Sequence, residues 1–191
     1  MAAGTSSRLG RPKQLLDLDG KAVLQHVLDA AEGGGLDEIL VVVGHRATEI
    51  GAAVRLPPRA RFVHNPDYAE GQSTSLRAGL RAADPASGAA VVLLGDQPGV
   101  LPAAIAAVVQ AWRSGEGPAA QASYGGRPGH PTLFDRSLWL DLERSTGDEG
   151  ARSLLAVHPE WLRPVAAGDR PPDDIDTEED YARVRAAFES R

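Results

Sequence analysis

Two runs constrain this chain more than any other feature: Ile39–Gly44 (ILVVVG) and Ala89–Gly95 (AAVVLLG). Neither has a polar position, so neither shows the alternation of a sheet with one wet face. Strands of that kind are covered on both sides, and each run is followed by a segment with helical spacing. Shorter candidate strands lie at Arg61–His64 and Ala119–Ser123. Helical patterns cover Val23–Ala31, Ala47–Val54, Ser73–Ala83, Pro102–Arg113, Arg136–Arg144 and Glu178–Phe188. The last opens on Asp176-Thr177, which carries N-capping chemistry, and continues with acids that suit a helix N-terminus. Strands alternating with helices predict an α/β architecture with a mostly parallel sheet and helices on both faces. A length of 191 residues suits a single domain, 1–191.

Charge and residue usage remove several function classes. There are 20 Lys and Arg against 26 Asp and Glu, a net charge of −6, so no basic face for nucleic acid or anionic lipid is expected. The absence of Cys excludes disulfides, thiolate nucleophiles, thiolate zinc sites and cysteine-ligated iron–sulfur clusters. No apolar run approaches the ~20 residues of a membrane-spanning helix. The expectation is a cytoplasmic protein with neither a membrane nor a nucleic-acid partner.

Ligands of open α/β sheets bind beyond the carboxyl ends of the strands, which directs attention to three segments. Ala2–Lys13 (AAGTSSRLGRPK) combines glycines, hydroxyls and three cations. Its backbone N–H groups could cradle an anion, with Arg8 and Lys13 adding full charges for a triphosphate. A polar terminal loop with no ligand is the other reading. The segment is neither a Walker A loop nor the three-glycine dinucleotide fingerprint. Phosphate-binding loops normally follow a strand, yet only Met1 precedes this one. Either the true start lies upstream, or the fold lacks its first strand. Asp96 follows the most apolar run, where a carboxylate could hold a hard cation or merely open a turn before Pro98. Gly71–Arg77 (GQSTSLR) offers Gln72, Ser73 and Ser75 either as helix-capping groups or as contacts to a base and ribose.

Other segments are less distinctive. Asn65-Pro66 reads as a turn. Tyr124–Pro131 (YGGRPGHP) reads as a hairpin or loop tip, with His130 a candidate ligand contact. Gly147–Arg152 (GDEGAR) is a turn opening a helix or an anion site around Arg152. Asp173–Asp180 (DDIDTEED) is either a solvated face with an N-cap or the source of a second metal carboxylate.

Taken together, AAGTSSRLGRPKQLL (2–16), NPDYAEGQSTSLRAGL (65–80), LLGDQP (93–98), GRPGHP (126–131), GDEGAR (147–152) and DIDTEEDY (174–181) resemble the molybdenum-cofactor cytidylyltransferases. These belong to a wider group of nucleotidyltransferases with a Rossmann-like, three-layer sheet fold. Six segments in the family's order cover almost the whole chain. The resemblance implies transfer of CMP from CTP to the phosphate of molybdopterin-bound molybdenum, with release of pyrophosphate. It places Ala2, Ala3, Gly4, Thr5, Ser6, Arg8 and Lys13 on the nucleotide, with Gln72, Ser73 and Ser75 at its base and ribose. Lys13, Arg8 and Asp96 become the catalytic set, Asp96 and Asp176 the ligands of Mg²⁺, and Arg127, Gly129 and His130 part of the acceptor pocket. A molybdenum hydroxylase or its chaperone is an implied protein partner. Ala2-Ala3-Gly4 resembles the cytidine-using branch, where guanylyl relatives typically carry Ala-Gly-Gly; Gly99 departs from the bulkier apolar residue of relatives. GTP-using transfer, NAD(P)-dependent reduction of small pigment molecules, and a non-catalytic cofactor chaperone are the rival expectations. The reductase lacks its dinucleotide fingerprint, and the chaperone would not need Lys13 and Asp96.

Overall fold

The structure, a computed structural model, describes residues 1–4, 9–147 and 150–190. A 3-10 turn at Lys13–Leu15 leads into a small hairpin, β1 (Asp17–Leu18) and β2 (Lys21–Ala22), and then α1 (Val23–Gly33). Next come β3 (Ile39–Val43), α2 (Ala47–Ala53), β4 (Ala60–His64), α3 (Gln72–Ala82) and β5 (Ala89–Val92). The remaining elements are α4 (Pro102–Arg113), β6 (Ala119–Tyr124), β7 (Arg127–Asp135), α5 (Trp139–Arg144), α6 (Gly150–Val157), β8 (Leu162–Gly168) and α7 (Glu178–Glu189).

β3 and β4 pair in parallel, from Ile39 opposite Ala60 to Val43 opposite His64. A second ladder runs β5-β7-β6-β8, with β6 and β8 parallel and β7 antiparallel to both its neighbours. Residues Met1–Ala3 join the two ladders. Ala2 N donates to Val42 O (2.8 Å), Gly95 N donates to Met1 O (2.8 Å), and the Met1 ammonium donates to Leu93 O (2.6 Å). The fold is α/β and Rossmann-like, as expected, with a sheet that mixes parallel and antiparallel pairs. The reversal at β7 has a local cause. Gly125 and Gly126, at φ 56° and 81°, supply the two left-handed residues that a tight hairpin needs between β6 and β7. Tyr124–Pro131, expected as a hairpin or a loop tip, is the hairpin, and its second strand continues through Asp135.

The apolar runs earn their composition from both faces. Val41 and Val43 pack with Leu24, Val27, Leu28 and Ile105 under α1 and α4. On the other face Leu76 and Leu80 of α3 meet Val92, Phe134, Trp139 and Leu142. A third cluster joins Leu9, Leu16, Leu18 and Val23 to Ile175 and Val184, fastening α7 against the start of the chain. No helix among the described residues is long and apolar enough to cross a membrane.

Candidate active site

The loops that follow β3, β4 and β5 meet Met1–Gly4 at one edge of the sheet. Gly95 lets them meet closely: a Cβ there would stand 2.9 Å from Met1 O and 3.1 Å from the Ala2 Cβ. Asp96 is thereby set directly beside the chain start. Lys13 is brought to the same point by its 3-10 turn, and Gln14 Nε2 donates to Ala2 O (3.4 Å).

Lys13 Nζ sits between two carboxylates. It pairs with Asp96 Oδ2 and lies 2.7 Å from Asp176 Oδ1. The side chains of Lys13 and Asp96 are only 14% and 17% exposed, whereas Asp176 is 45% exposed and forms the open side of the cluster. Burial alone would lower the Lys13 pKa, but the Asp96 charge and the bonds to both carboxylates outweigh it and hold it above the usual lysine value. Asp176 owes its position to a strap of alternating side chains. Ile175 is fully buried and its N–H donates to Asp96 O (3.2 Å). On one side of this anchor Asp176 reaches Lys13; on the other, Asp174 Oδ1 accepts from Gln97 Nε2 (2.8 Å). Burial, then the Asp96 charge, pushes the Asp174 carboxyl above its usual range. Gln97 Oε1 is buried with no hydrogen-bond partner among the described residues.

A hard divalent cation fits this donor set. Mg²⁺ is held by one or two carboxylates with substrate oxygens completing its shell, and Asp96 and Asp176 already flank a positive charge. Among the described residues no group of three or more His, Cys, Asp or Glu forms a self-sufficient metal cage.

The Met1–Gly4 segment that carries the cluster also reaches a cavity of about 420 Å³, lined by Ala3, Gly4, Tyr68, Gln72, Ser75 and Gly147, among others. Gln72, Ser73 and Ser75 stand in the first turn of α3, but they do not act alike. Gln72 and Ser75 line the cavity; Ser73 is buried, its N–H donating to Gly147 O (3.1 Å), and does not. Asn65 organises this turn and is more than the turn residue expected from sequence. It is 1% exposed, donates through Nδ2 to Thr74 Oγ1 (2.9 Å) and Ser75 Oγ (3.0 Å), and accepts from Asp67 N through Oδ1 (3.0 Å). Its place directly after β4, at a strand's carboxyl end, was the signal available in the sequence.

Thr5, Ser6 and Arg8 lie outside the described residues. Ala2 and Ala3 are buried and Gly4 is exposed. Of the expected acceptor residues, Arg127 is exposed beside the β6–β7 turn, and Gly129 lets the Tyr124 ring approach, since a Cβ there would lie 3.0 Å from it. His130 is set deeper, its Nδ1 3.3 Å from Val92 O. Burial lowers its pKa below the usual histidine value, with the Asp96 charge acting in the opposite direction.

The family pattern of the MobA-like NTP transferase domain matches residues 1–163. The chain belongs to that family. This MobA-like protein is 32% identical over 195 residues to the nicotine blue oxidoreductase of Paenarthrobacter nicotinovorans, covering 96% of this chain and 93% of that protein. It is 26% identical over 189 residues to the molybdenum cofactor cytidylyltransferase of Escherichia coli K12, covering 96% and 95%. Among solved structures, Rv0371c of Mycobacterium tuberculosis H37Rv matches with a TM-score of 0.86 at 32% identity, over 97% of this chain and 94% of that one. A manganese complex of Rv0371C matches at 0.82 and 30% identity, over 97% and 95%.

Proposed function

We propose that this MobA-like chain transfers CMP from CTP to a phosphate-bearing acceptor of the molybdopterin type and releases pyrophosphate. One observation carries the reading: a largely buried lysine shared by two carboxylates, at the carboxyl edge of the sheet and tied through Met1–Gly4 to a cavity lined by Ala3, Gly4, Gln72 and Ser75. The likeness to a molybdenum cofactor cytidylyltransferase over nearly the full length supports the acceptor class.

The acceptor phosphate oxygen attacks the α-phosphorus, the bond to the β-phosphate oxygen breaks, and pyrophosphate departs with the electron pair. Such transfer needs positioning and charge neutralisation more than a protein nucleophile. Lys13, charged and desolvated, sits where it can meet the growing negative charge on the leaving pyrophosphate. Asp96 and Asp176 would hold Mg²⁺, which when bound supplies further neutralisation of the phosphate oxygens. The N–H groups of Ala3 and Gly4, with Thr5, Ser6 and Arg8, would hold the triphosphate; the Ala2 N–H, engaged by Val42 O, would position that segment. Gln72 and Ser75 would contact base and ribose, with Ser73 supporting the turn. Arg127, Gly129 and His130 would form part of the acceptor side.

The name of the Paenarthrobacter relative, nicotine blue oxidoreductase, favours a second reading, an oxidoreductase, for which the sequence-based expectation is NAD(P)-dependent reduction of a small pigment. One assay separates the two. The protein is incubated with each NTP, Mg²⁺ and molybdenum cofactor, and pyrophosphate is measured; in parallel, NADH and NADPH oxidation is followed with a pigment substrate. Pyrophosphate release with CTP supports the proposal, and release with GTP alone reassigns the base. Nicotinamide oxidation without pyrophosphate release overturns the transferase reading.

A further inference from the structure

The first turn of α3 has no side-chain cap of its own, since Gly71 stands at the N-cap. Two neighbours fix it instead. From one, Asn65 Nδ2 donates to the Thr74 and Ser75 hydroxyls. From the other, Gly147 O accepts from Ser73 N (3.1 Å), so a residue that follows α5 does the work of the cap. Gly147 also lines the cavity of about 420 Å³ together with Gln72 and Ser75. Its φ of 73° is a left-handed turn that glycine takes without strain. The place of Gly147 therefore decides both how α3 begins and how the cavity is closed beside Gln72 and Ser75.

One α3 side chain holds the segment that carries Gly147. Arg77 lies a helical turn beyond Ser73, on the same side of α3. Its Nε donates to Glu143 O (2.8 Å) and its Nη2 to Ser145 O (3.0 Å). The planar fork thus takes two carbonyls that the end of α5 leaves without an intrahelical partner. Ser145 closes that end, its N and Oγ both donating to Leu142 O (3.2 and 2.6 Å), and only Thr146 separates it from Gly147. Arg81, a further turn along, meets the Glu143 carboxylate rather than these carbonyls. Arg77 itself does not line the cavity. We infer that Arg77 is a positioning residue for the nucleoside end of the substrate, acting through Ser145 and Gly147 without touching the ligand. This rests on the nucleotidyltransferase reading, in which Lys13 and the Ala3 and Gly4 N–H groups serve the phosphates and the α3 turn serves base and ribose. Loss of the fork releases Ser145 and Gly147 from α3, so contacts to the nucleoside weaken while contacts to the phosphates stay. A lysine offers one charged donor in place of the fork and restores only part of the hold.

The test is calorimetric binding, with Mg²⁺ present, of each NTP and of inorganic triphosphate to the parent chain, Arg77→Ala, Arg77→Lys and Arg81→Ala, each well below its own Tm. Arg77→Ala is expected to weaken the NTP that the parent prefers by roughly 10-fold while leaving inorganic triphosphate unchanged. Arg77→Lys should recover part of that loss, and Arg81→Ala should bind as the parent does. Unchanged NTP binding by Arg77→Ala would overturn the inference. Equal weakening of NTP and inorganic triphosphate would also overturn it, as the mark of a general loss of structure, and so would an equal loss in Arg81→Ala, which assigns the effect to the docking of α5. If Arg77→Ala does not fold, Arg77→Lys carries the same comparison between NTP and inorganic triphosphate. A parent that binds no NTP overturns the transferase reading and this inference with it, a result read on the parent alone and so distinct from any effect of Arg77.

Discussion

At the scale of the residue, Lys13 has two incompatible tasks. Its Nζ holds Asp96 and Asp176 together, yet a phosphate would compete for it and a metal would compete for the carboxylates. On the proposed function, nucleotide and metal would bind together: phosphate oxygens would take the Lys13 ammonium and leave Asp96 and Asp176 to hold the cation. Lys13→Ala should lower kcat by roughly 10²-fold or more, as loss of a preorganised charge does. The same variant, without nucleotide, should bind Mn²⁺ more tightly than the parent, because no ammonium competes for Asp96 and Asp176. Steady-state kinetics and calorimetric titration read the two effects separately. Normal kcat would remove Lys13 from the chemistry, and unchanged Mn²⁺ affinity would remove the competition. No local pattern in the sequence brings positions 13, 96 and 176 together; Asp96 was visible as a strand-end carboxylate, and Asp176 first as part of an N-cap. Their convergence depends on Gly95 and Ile175, which act through close packing and backbone N–H bonds and so leave no side-chain chemistry to read.

At the scale of the element, the apolar runs were legible because β3 and β5 are covered on both faces. Their pairing partners were less so. β7 begins Arg-Pro-Gly-His-Pro, a composition that speaks for loop, and becomes a strand because the Gly125-Gly126 turn folds it back onto β6. The run expected to Gly95 ends as β5 at Val92, but Leu93 and Gly95 continue the pairing by bonding to Met1. The start of α7 was legible for a local reason, the capping box. Thr177 Oγ1 accepts from Asp180 N (3.1 Å), and Asp180 Oδ2 accepts from Thr177 N (2.9 Å) and Asp176 N (3.2 Å). That box fixes the backbone of a candidate metal ligand, so Thr177→Ala should do more than cost about 1 kcal/mol of stability. Arg183 first, then Thr177, holds the Asp180 carboxyl down to about 2. Stability linked to that depression is complete above the ordinary carboxylate value and fades as pH falls towards 2. The Thr177→Ala deficit in Tm, roughly 2–4 °C at pH 7, should therefore shrink below about pH 4. A deficit that stays constant over that range would show that the hydroxyl acts without Asp180.

At the scale of the whole molecule, the two ladders of the sheet are joined through three residues, Met1–Ala3, and the candidate site is assembled on the same three. Gly95 N bonds Met1 O, Gln14 bonds Ala2 O, and Ala3 lines the cavity beside α3. Stability of the sheet and order in the site are therefore linked through one short segment, and the ionisation of its first atom should be felt globally. With the Met1 amine at about 6 when folded and near 8.0 when unfolded, the unfolded chain binds more protons between those values. Stability of the 191-residue polypeptide must then rise with pH from 6 to 8. His130 adds a slope of the same sign, because burial lowers its pKa as well, but its contribution is complete once pH exceeds its ordinary value near 6.5. Acetylation of the Met1 amine separates the two. The modified protein should be more stable than the unmodified one at pH 6, with the gap closing by about pH 8, and should keep the His130 slope at the acid end. Tm measured across pH 5–9 on both forms checks this. Parallel curves would mean that the amine finds a charged partner or solvent in the folded chain, and that the junction of the two ladders is not dry.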